Sequence, residues 1–483
     1  MIEAIDLRPA VPAFILALTG LVVLLSQAFT PKGKTSPSLG LSVGGLLSAL
    51  VAVWLMGQGR GVGADLGGSL VADRFALAFQ ALILTVCLGT VLLSSSYLRA
   101  TGLDRGEHYT LLLFSAVGML GLVSTTELVS MFVALEIMSV ALYGLAGIRR
   151  DRSESQESAL KYFVTGAFSS AFFLYGVALL YGVSGSTRLD RITQAVAQPG
   201  DGGHGLALLG VGFLLVGFGF KVASVPFHMW APDVYEGAPT TVTAFMAAGV
   251  KVAAFGAFLR VFGHALQPLA ASWQPAVAVL AVVSMVVGNL GALAQTNVKR
   301  MLAYSSVAHA GYLLVAFVAP WAIAAPAILF YLVGYAAVSL GGFGALAALA
   351  KDGREPLAQS DVNGLAHRRP ALAAALTVFL ISLTGIPVSA GFMGKFYLFG
   401  AAVGAGYIKL ALVGVVMSVV SAYYYLRVVV SMYMKDPPAD DPWGRIAPSA
   451  AVALTAAVIA VLGFGAFPAV VVDWARRAAQ SLL

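Results

Sequence analysis

The chain has 483 residues, of which 59% are hydrophobic and 11% charged, and its mean hydropathy is +0.88. That much apolar surface exceeds what one soluble core can bury, so the composition excludes an ordinary soluble domain and indicates an integral membrane protein. A formal charge of +7 and a pI near 9.4 would suit nucleic acid or another anionic partner, but the Lys and Arg residues stand singly or in pairs between apolar runs, where membrane topology accounts for them.

The opening stretch MIEAIDLRPA carries acids instead of the basic start of a cleavable signal, so the first apolar run is read as a span. Runs of about 17 to 25 residues, each long enough to cross the hydrocarbon layer as a helix, recur from there to the end of the chain. The expected spans number about fourteen, at 10–30, 39–57, 73–98, 108–124, 127–147, 160–183, 206–230, 240–263, 273–296, 301–319, 322–350, 371–402, 406–434 and 446–472. No segment between them is long and polar enough for a separate soluble domain. The single cysteine, Cys87, lies in the third run, which excludes an intramolecular disulfide and a thiolate-held metal or cluster.

Charges inside spans are costly and mark function by default. Glu136, in MFVALEIMSVALYG, is the only acid expected deep within a span, the fifth. Lys161 starts the sixth, where it can modulate Glu136 if the two helices pack together. Lys221 lies in the seventh, five residues before Pro226, with His228 nearer the span end beside Trp230. In the eighth, Lys251 is about eleven residues from the start, roughly 16 Å at 1.5 Å per residue, beyond the reach of a snorkelling stem of about 6 Å. His309 in the tenth span can carry a proton either way, and Lys395 in the twelfth stands nearer a span end. Lys409 and Arg427 in the thirteenth read as topological or structural, and the aromatics of AYYYLR as ordinary interface packing.

These charges reveal a repeat. Glu136 and Lys221 are 85 positions apart, His309 and Lys395 are 86 apart, and five spans separate each residue from its equivalent. An odd number of crossings inverts the second unit relative to the first. Each unit also carries a damaged helix, at Pro226 and at Pro387 within LTGIPVSAGFMGK. Such backbone is tolerated at membrane depth only where protein or water satisfies it, which predicts paired, hydrated half-sites. The expected architecture is all-α: three N-terminal spans (1–107), a first five-helix bundle (108–265), a second, inverted one (266–435) and a C-terminal span (436–483). A Glu136–Lys221 contact would keep both groups ionised, and separating them would release a lysine ready to lose its proton. About fifteen loop Lys and Arg fall on one side against about eight on the other, which places both termini outside. There is no Walker loop, no GxGxxG after a strand, no CxxC and no HExxH, so nucleotide hydrolysis and electron transfer by this chain alone are not expected.

The stretch FKVASVPFHMWAPDVYEGAPTTVTAFMAAGVKVAAFG (220–256), with ALEIMSVALYGL, NVKRMLAYSSVAHAGYLL and LTGIPVSAGFMGKFYLF, resembles the antiporter-like subunits of respiratory complex I, most of all the N-type family of bacterial NADH-quinone oxidoreductases. The resemblance covers most of the chain. It implies fourteen transmembrane helices with two inverted bundles, proton translocation, and roles in it for Glu136, Lys221, Lys251 and Lys395, with His309 and Lys161 on the same polar axis. Lysine at 395 argues against the M-type subunits, and the absence of a long lateral helix against the L-type. The resemblance further implies a bacterial inner membrane, M-type and small membrane subunits as partners, and no cofactor in this chain, with flavin, iron–sulfur clusters and quinone on partner subunits. Cation/proton antiporters of the Mrp type and membrane-bound hydrogenases share these motifs. A self-sufficient solute carrier and a structural spacer with paired charges are readings of other classes.

Overall fold

A computed structural model describes residues 6–30, 37–103, 106–198, 200 and 202–482. Glu3 of the acidic opening stretch lies outside the described residues. The chain runs through α1 (Val11–Phe29), α2 (Ser38–Leu55), a small antiparallel hairpin pairing Asp65 with Val71 and Leu66 with Leu70, α3 (Arg74–Thr101), α4 (Gly106–Ser124), α5 (Leu128–Ala146) and α6 (Ser153–Ser184). It continues through α7 (Leu189–Ala197), α8 (Gly203–Val222), α9 (Trp230–Gly237), α10 (Thr240–Phe245), α11 (Lys251–Phe258), α12 (Ala270–Leu293), α13 (Val298–Val315) and α14 (Trp321–Ala347). The last six are α15 (Leu365–Arg368), α16 (Pro370–Thr384), α17 (Ala390–Gly404), α18 (Ile408–Met434), α19 (Pro448–Ala466) and α20 (Pro468–Ala479). Among the described residues 13 helices are long and apolar enough to cross a membrane. The broken pair α16 and α17 supplies the remaining segment of the fourteen expected.

Local chemistry sets the helix ends. Asp73 accepts from the Ala76 amide (2.6 Å), Glu127 from that of Ser130 (2.9 Å) and Asn297 from that of Arg300 (3.1 Å), each satisfying an amide that the first turn leaves free. α10 and α11 form one span through a wide π-type turn at Met246–Val250, and this span is the axis of the molecule. Its most apolar window is 100% buried, against 28% for that of α18. A helix that is apolar on every side belongs inside.

Around the axis, antiparallel pairs approach closely where glycine removes the side chain. A Cβ at Gly118 in α4 would stand 2.3 Å from the Met138 amide nitrogen in α5. In the α12–α13 pair, Cβ atoms at Gly288 and Gly311 would stand 2.5 Å and 2.7 Å from the amide nitrogens of Ala308 and Met285. Small residues let membrane helices pack backbone against backbone. The recurrence of this pairing at the fourth–fifth and ninth–tenth spans agrees with an inverted repeat.

Both damaged helices break outright instead of kinking. α8 stops at Val222, Ala223 takes a left-handed φ of 59°, and α9 starts only at Trp230. The residue before Pro226 is disfavoured in helical geometry, so the chain leaves the helix early. α16 ends at Gly385, φ 89°, where a left-handed turn favours glycine, and α17 resumes at Ala390. Protein groups satisfy much of the freed backbone: Ser284 of α12 accepts from the Val225 amide (2.9 Å), and Ser382 from that of Gly391 (3.1 Å).

Two features depart from expectation. The last expected span, 446–472, is interrupted: α19 stops at Ala466 and Pro468 starts the separate amphipathic helix α20, which folds back so that Ser481 accepts from the Phe75 amide (3.0 Å). The second is a buried ion pair at the end of the eighth expected span, on an arginine that the sequence reading did not single out. Arg260 meets Asp73 through two bonds (2.8 and 3.1 Å) and donates to the Val123 carbonyl (3.1 Å), tying the end of the central span to α3 and α4.

The close α4–α5 contact yields a stability test. Gly118→Leu places a side chain against backbone that cannot yield, an overpacking that costs about 1–3 kcal/mol. Gly212, on α8, faces open space. The expected result is a lower thermal unfolding temperature in detergent with Gly118→Leu, and no change with Gly212→Leu.

Candidate functional site

The polar side chains that the sequence places at membrane depth fall into two groups at the two broken helices, linked by the central span. In the first group Lys221 occupies the last turn of α8, where the carbonyl end of a half-helix favours a cation. It is 4% exposed, and its Nζ donates to Ser139 Oγ on α5 at 2.8 Å. Glu136, one turn away on α5, accepts from Ser170 Oγ of α6 at 2.5 Å. No ion pair joins Glu136 to Lys221, contrary to the contact expected from sequence: the Ser139 hydroxyl holds the lysine, and the carboxylate lies half-buried toward α6.

The second group is assembled around α13. Lys251, 2% exposed, follows the wide turn of the central span and donates to the Ser306 carbonyl (2.5 Å) and hydroxyl (2.6 Å). Tyr335 of α14 lies beneath the ammonium at 5.3 Å from ring centre and donates to the same Ser306 hydroxyl (2.9 Å). One turn further along α13, His309 is bonded through one ring nitrogen to Tyr331 and through the other to Tyr425 (3.2 Å). Another turn on is Tyr312, whose ring faces the Lys395 ammonium at 4.6 Å. Ser306, His309 and Tyr312 are spaced at helical intervals on one face of α13 and so line one seam. Lys395 does not snorkel; it is 4% exposed and donates to the Leu383 and Thr384 carbonyls (2.9 and 3.0 Å), the free end of half-helix α16. Its arrangement parallels that of Lys221 on the other broken helix.

The structure thus places Lys251, His309 and Lys395 along one face of α13, at Ser306, at His309 itself and at the Tyr312 ring, and holds Lys221 on Ser139 of α5 and Glu136 on Ser170 of α6. It does not bring Lys161 to Glu136. Lys161 is 42% exposed at the side chain and pairs with Asp233 (2.7 Å) and Glu157 (2.5 Å), more than two helical turns before the serine that reaches Glu136. His228 is half-buried in the break between α8 and α9. Arg427 donates to the Gln295 carbonyl (2.5 Å), in keeping with a structural role. Among the described residues no group of three or more His, Cys, Asp or Glu could hold a metal ion.

Sequence reading missed the hydroxyls. Tyr424 and Tyr425 of AYYYLR, read as packing, are fully buried; Tyr424 donates to Asn289 (3.0 Å), which in turn donates to Tyr312 (3.2 Å). The usable signal was the helical spacing of polar residues in otherwise apolar spans, such as Tyr331 and Tyr335. The second omission is Glu355, in the loop after α14. It is bonded by Arg149 (2.8 Å), Tyr97 (2.7 Å), Thr240 and, more loosely, Lys299 (3.5 Å). It therefore joins α3, the loop after α5, the start of α10 and the start of α13. A charged cavity of about 390 Å3, lined by Arg152, Asp233, Glu236 and Arg300 among others, opens beside it. Burial pushes the Glu355 carboxyl up, but Lys299, Thr240, Tyr97 and Arg149 outweigh it and hold the group below its ordinary value.

A family model described as "NADH:quinone oxidoreductase/Mrp antiporter, TM" matches residues 125–421. NADH-quinone oxidoreductase subunit N of Trichlorobacter lovleyi is 43% identical over 480 residues, covering 99% of this chain and 98% of that one. A chain of respiratory complex I from Thermus thermophilus, solved with bound aureothin, superposes with a TM-score of 0.81 at 38% identity, covering 96% of this chain and 98% of that one. A chain of the Mrp complex from Dietzia sp. DQ12-45-1b reaches a TM-score of 0.85 at 22% identity, covering 99% and 97%, a likeness of fold alone.

The Glu355 cluster generates a pH-dependent expectation. Because the folded carboxyl titrates below the ordinary 4.5, its contribution is complete above that value and disappears as pH falls through the lowered one. Glu355→Gln leaves Arg149 and Lys299 facing each other, and breaking a buried pair in this way costs about 3–5 kcal/mol. Thermal inactivation of the assembled complex is expected at a clearly lower temperature for the variant at pH 7, with the two proteins converging in acid.

Proposed function

The chain belongs to the NADH-quinone oxidoreductase subunit N family, and on that premise we propose that it is a proton-translocating membrane subunit of a redox-driven NADH-quinone oxidoreductase. NADH oxidation and quinone reduction then take place on partner subunits, which carry the flavin, iron–sulfur clusters and quinone. Those partners include an M-type antiporter-like subunit and small membrane subunits. The identities of 43% and 38% to N-type and complex I chains, against 22% to the Mrp chain, favour this assignment over an antiporter complex.

One observation carries the reading. Lys221, Lys251 and Lys395 are each at least 96% buried, and each ammonium is held by neutral oxygens with no carboxylate in contact. A lysine without a counter-ion changes its charge readily when a field or a partner charge changes, which is the property a proton carrier needs. In this scheme residues 1–107 flank two inverted bundles, 108–265 and 266–435, with 436–483 closing the chain. A proton taken up at the charged cavity beside Glu355 reaches Lys221 or Lys251. Altering the field of Glu136 on Lys221 pushes it along Ser306, His309 and the tyrosines to Lys395 and then outward. Lys161, paired with Asp233, acts at the cavity rim in this scheme. The bacterial relatives support an inner-membrane placement, and the loop-charge bias supports both termini outside. Moving each charge against the membrane potential costs about 2.3 kcal/mol per 100 mV, so the work comes from redox partners.

The test uses the complete complex reconstituted in vesicles. Lys251→Met is expected to lower quinone reduction and proton translocation together, several-fold. Lys251→Arg keeps the charge but cannot release a proton, so it is expected to fail equally. Rescue by arginine would reduce Lys251 to a structural cation, and full pumping in both variants with normal assembly would end the proposal.

A further inference from the structure

At the membrane face where α20 lies, two apolar grooves meet at one cationic mouth. The first, about 810 Å3, runs between α2 and α3 beneath Trp54 and Gln58. The second, about 680 Å3, runs along α3 between α14 and α19, where Ala453, Ala456 and Ala460 leave room. Both are lined by Ala81, Trp474 and Arg477, so they diverge from a common point at α20, and Arg74 lines the first beside it. Arg74 and Arg477 are exposed, and neither guanidinium has an acidic partner among the described residues. The nearby acids are committed elsewhere: Asp73 to Arg260, and Asp473 to Arg476 at 3.7 Å.

We propose that this is a binding site for one anionic diacyl phospholipid, with its phosphate on Arg74 and Arg477 and one acyl chain in each groove. The two grooves require an occupant with two slender apolar arms and a single anionic head. A partner's helix, about 10 Å across, would cover one groove and bring no anion. Guanidinium forks match phosphate oxygens, and Trp54 and Trp474 stand at the level where aromatic side chains mark the membrane–water boundary. The amphipathic α20, with Val471 and Ala475 buried and Arg476 and Arg477 outward, is placed to lie in that boundary. Bound there, the lipid would pin α20 and α2 to α3 and seal the wall of the bundle beside α14, which carries Tyr331 and Tyr335.

The experiment is quantitative lipid analysis of the intact complex purified in mild detergent. The Arg74→Gln/Arg477→Gln double variant is expected to lose one anionic phospholipid per complex relative to wild type, with neutral phospholipid unchanged. Ala456→Phe, which fills the second groove and keeps both arginines, is expected to lose the same lipid. Unchanged anionic phospholipid in both variants overturns the proposal. So does a neutral phospholipid lost in its place, or a partner subunit's helix found seated in the grooves of the assembled complex.

Discussion

The structure depends on how three ammonium groups are accommodated in a medium that disfavours them. None is neutralised by a carboxylate in contact. Lys395 takes the carbonyls that the break after α16 sets free, Lys221 sits at the carbonyl end of α8, and Lys251 takes a carbonyl and a hydroxyl of α13. Hydroxyl oxygens can accept from an ammonium or donate to a neutral amine, whereas a carboxylate would hold the charged form. The broken helices are therefore part of the site's chemistry, since an unbroken helix has no spare carbonyls in mid-membrane.

The two halves solve the same problem with different side chains. The first contains the acid, Glu136, held by Ser170 of α6, while Lys221 of α8 is held by Ser139 of α5. Its effect on the lysine is thus a field effect across a short gap, free to change without breaking a bond. In the second half, α13 presents His309, fixed between two tyrosine hydroxyls. A stack of polar aromatics on α13, α14 and α18 connects the central span to the second broken helix. The loop carboxylate of Glu355 joins elements of both halves at one membrane face, so the two groups rest on a shared foundation.

Some of this site was legible in residues alone, for a definite reason. A Lys or Glu inside an apolar run costs enough that its presence requires a protein environment, so Glu136, Lys221, Lys251 and Lys395 stood out. Serine and tyrosine carry no such cost, and Ser139, Ser306, Tyr335 and Tyr425 passed as packing. Glu355, Arg149 and Lys299 passed as loop charges because their burial arises from segments between 56 and 258 residues apart. The expected Glu136–Lys221 contact failed at a finer scale. Spacing along a helix sets which face a residue occupies, but a reach of a few ångströms between two helices depends on how they cross and which hydroxyl intervenes. Lys161 failed likewise: α5 and α6 do pack together, but Lys161 lies at the end of α6 away from Glu136.

The sequence by itself determined that the chain crosses the membrane repeatedly, that its charge pattern repeats with an odd number of crossings, and where two helices break. These follow from hydropathy, charge cost and proline geometry, which are local. Only the tertiary structure decided that the eighth span is the central axis, that both broken-helix lysines lie at the carbonyl ends of half-helices, and that α20 returns to α3. Those outcomes depend on packing between segments far apart in the chain, where the partner of each polar atom is chosen by geometry.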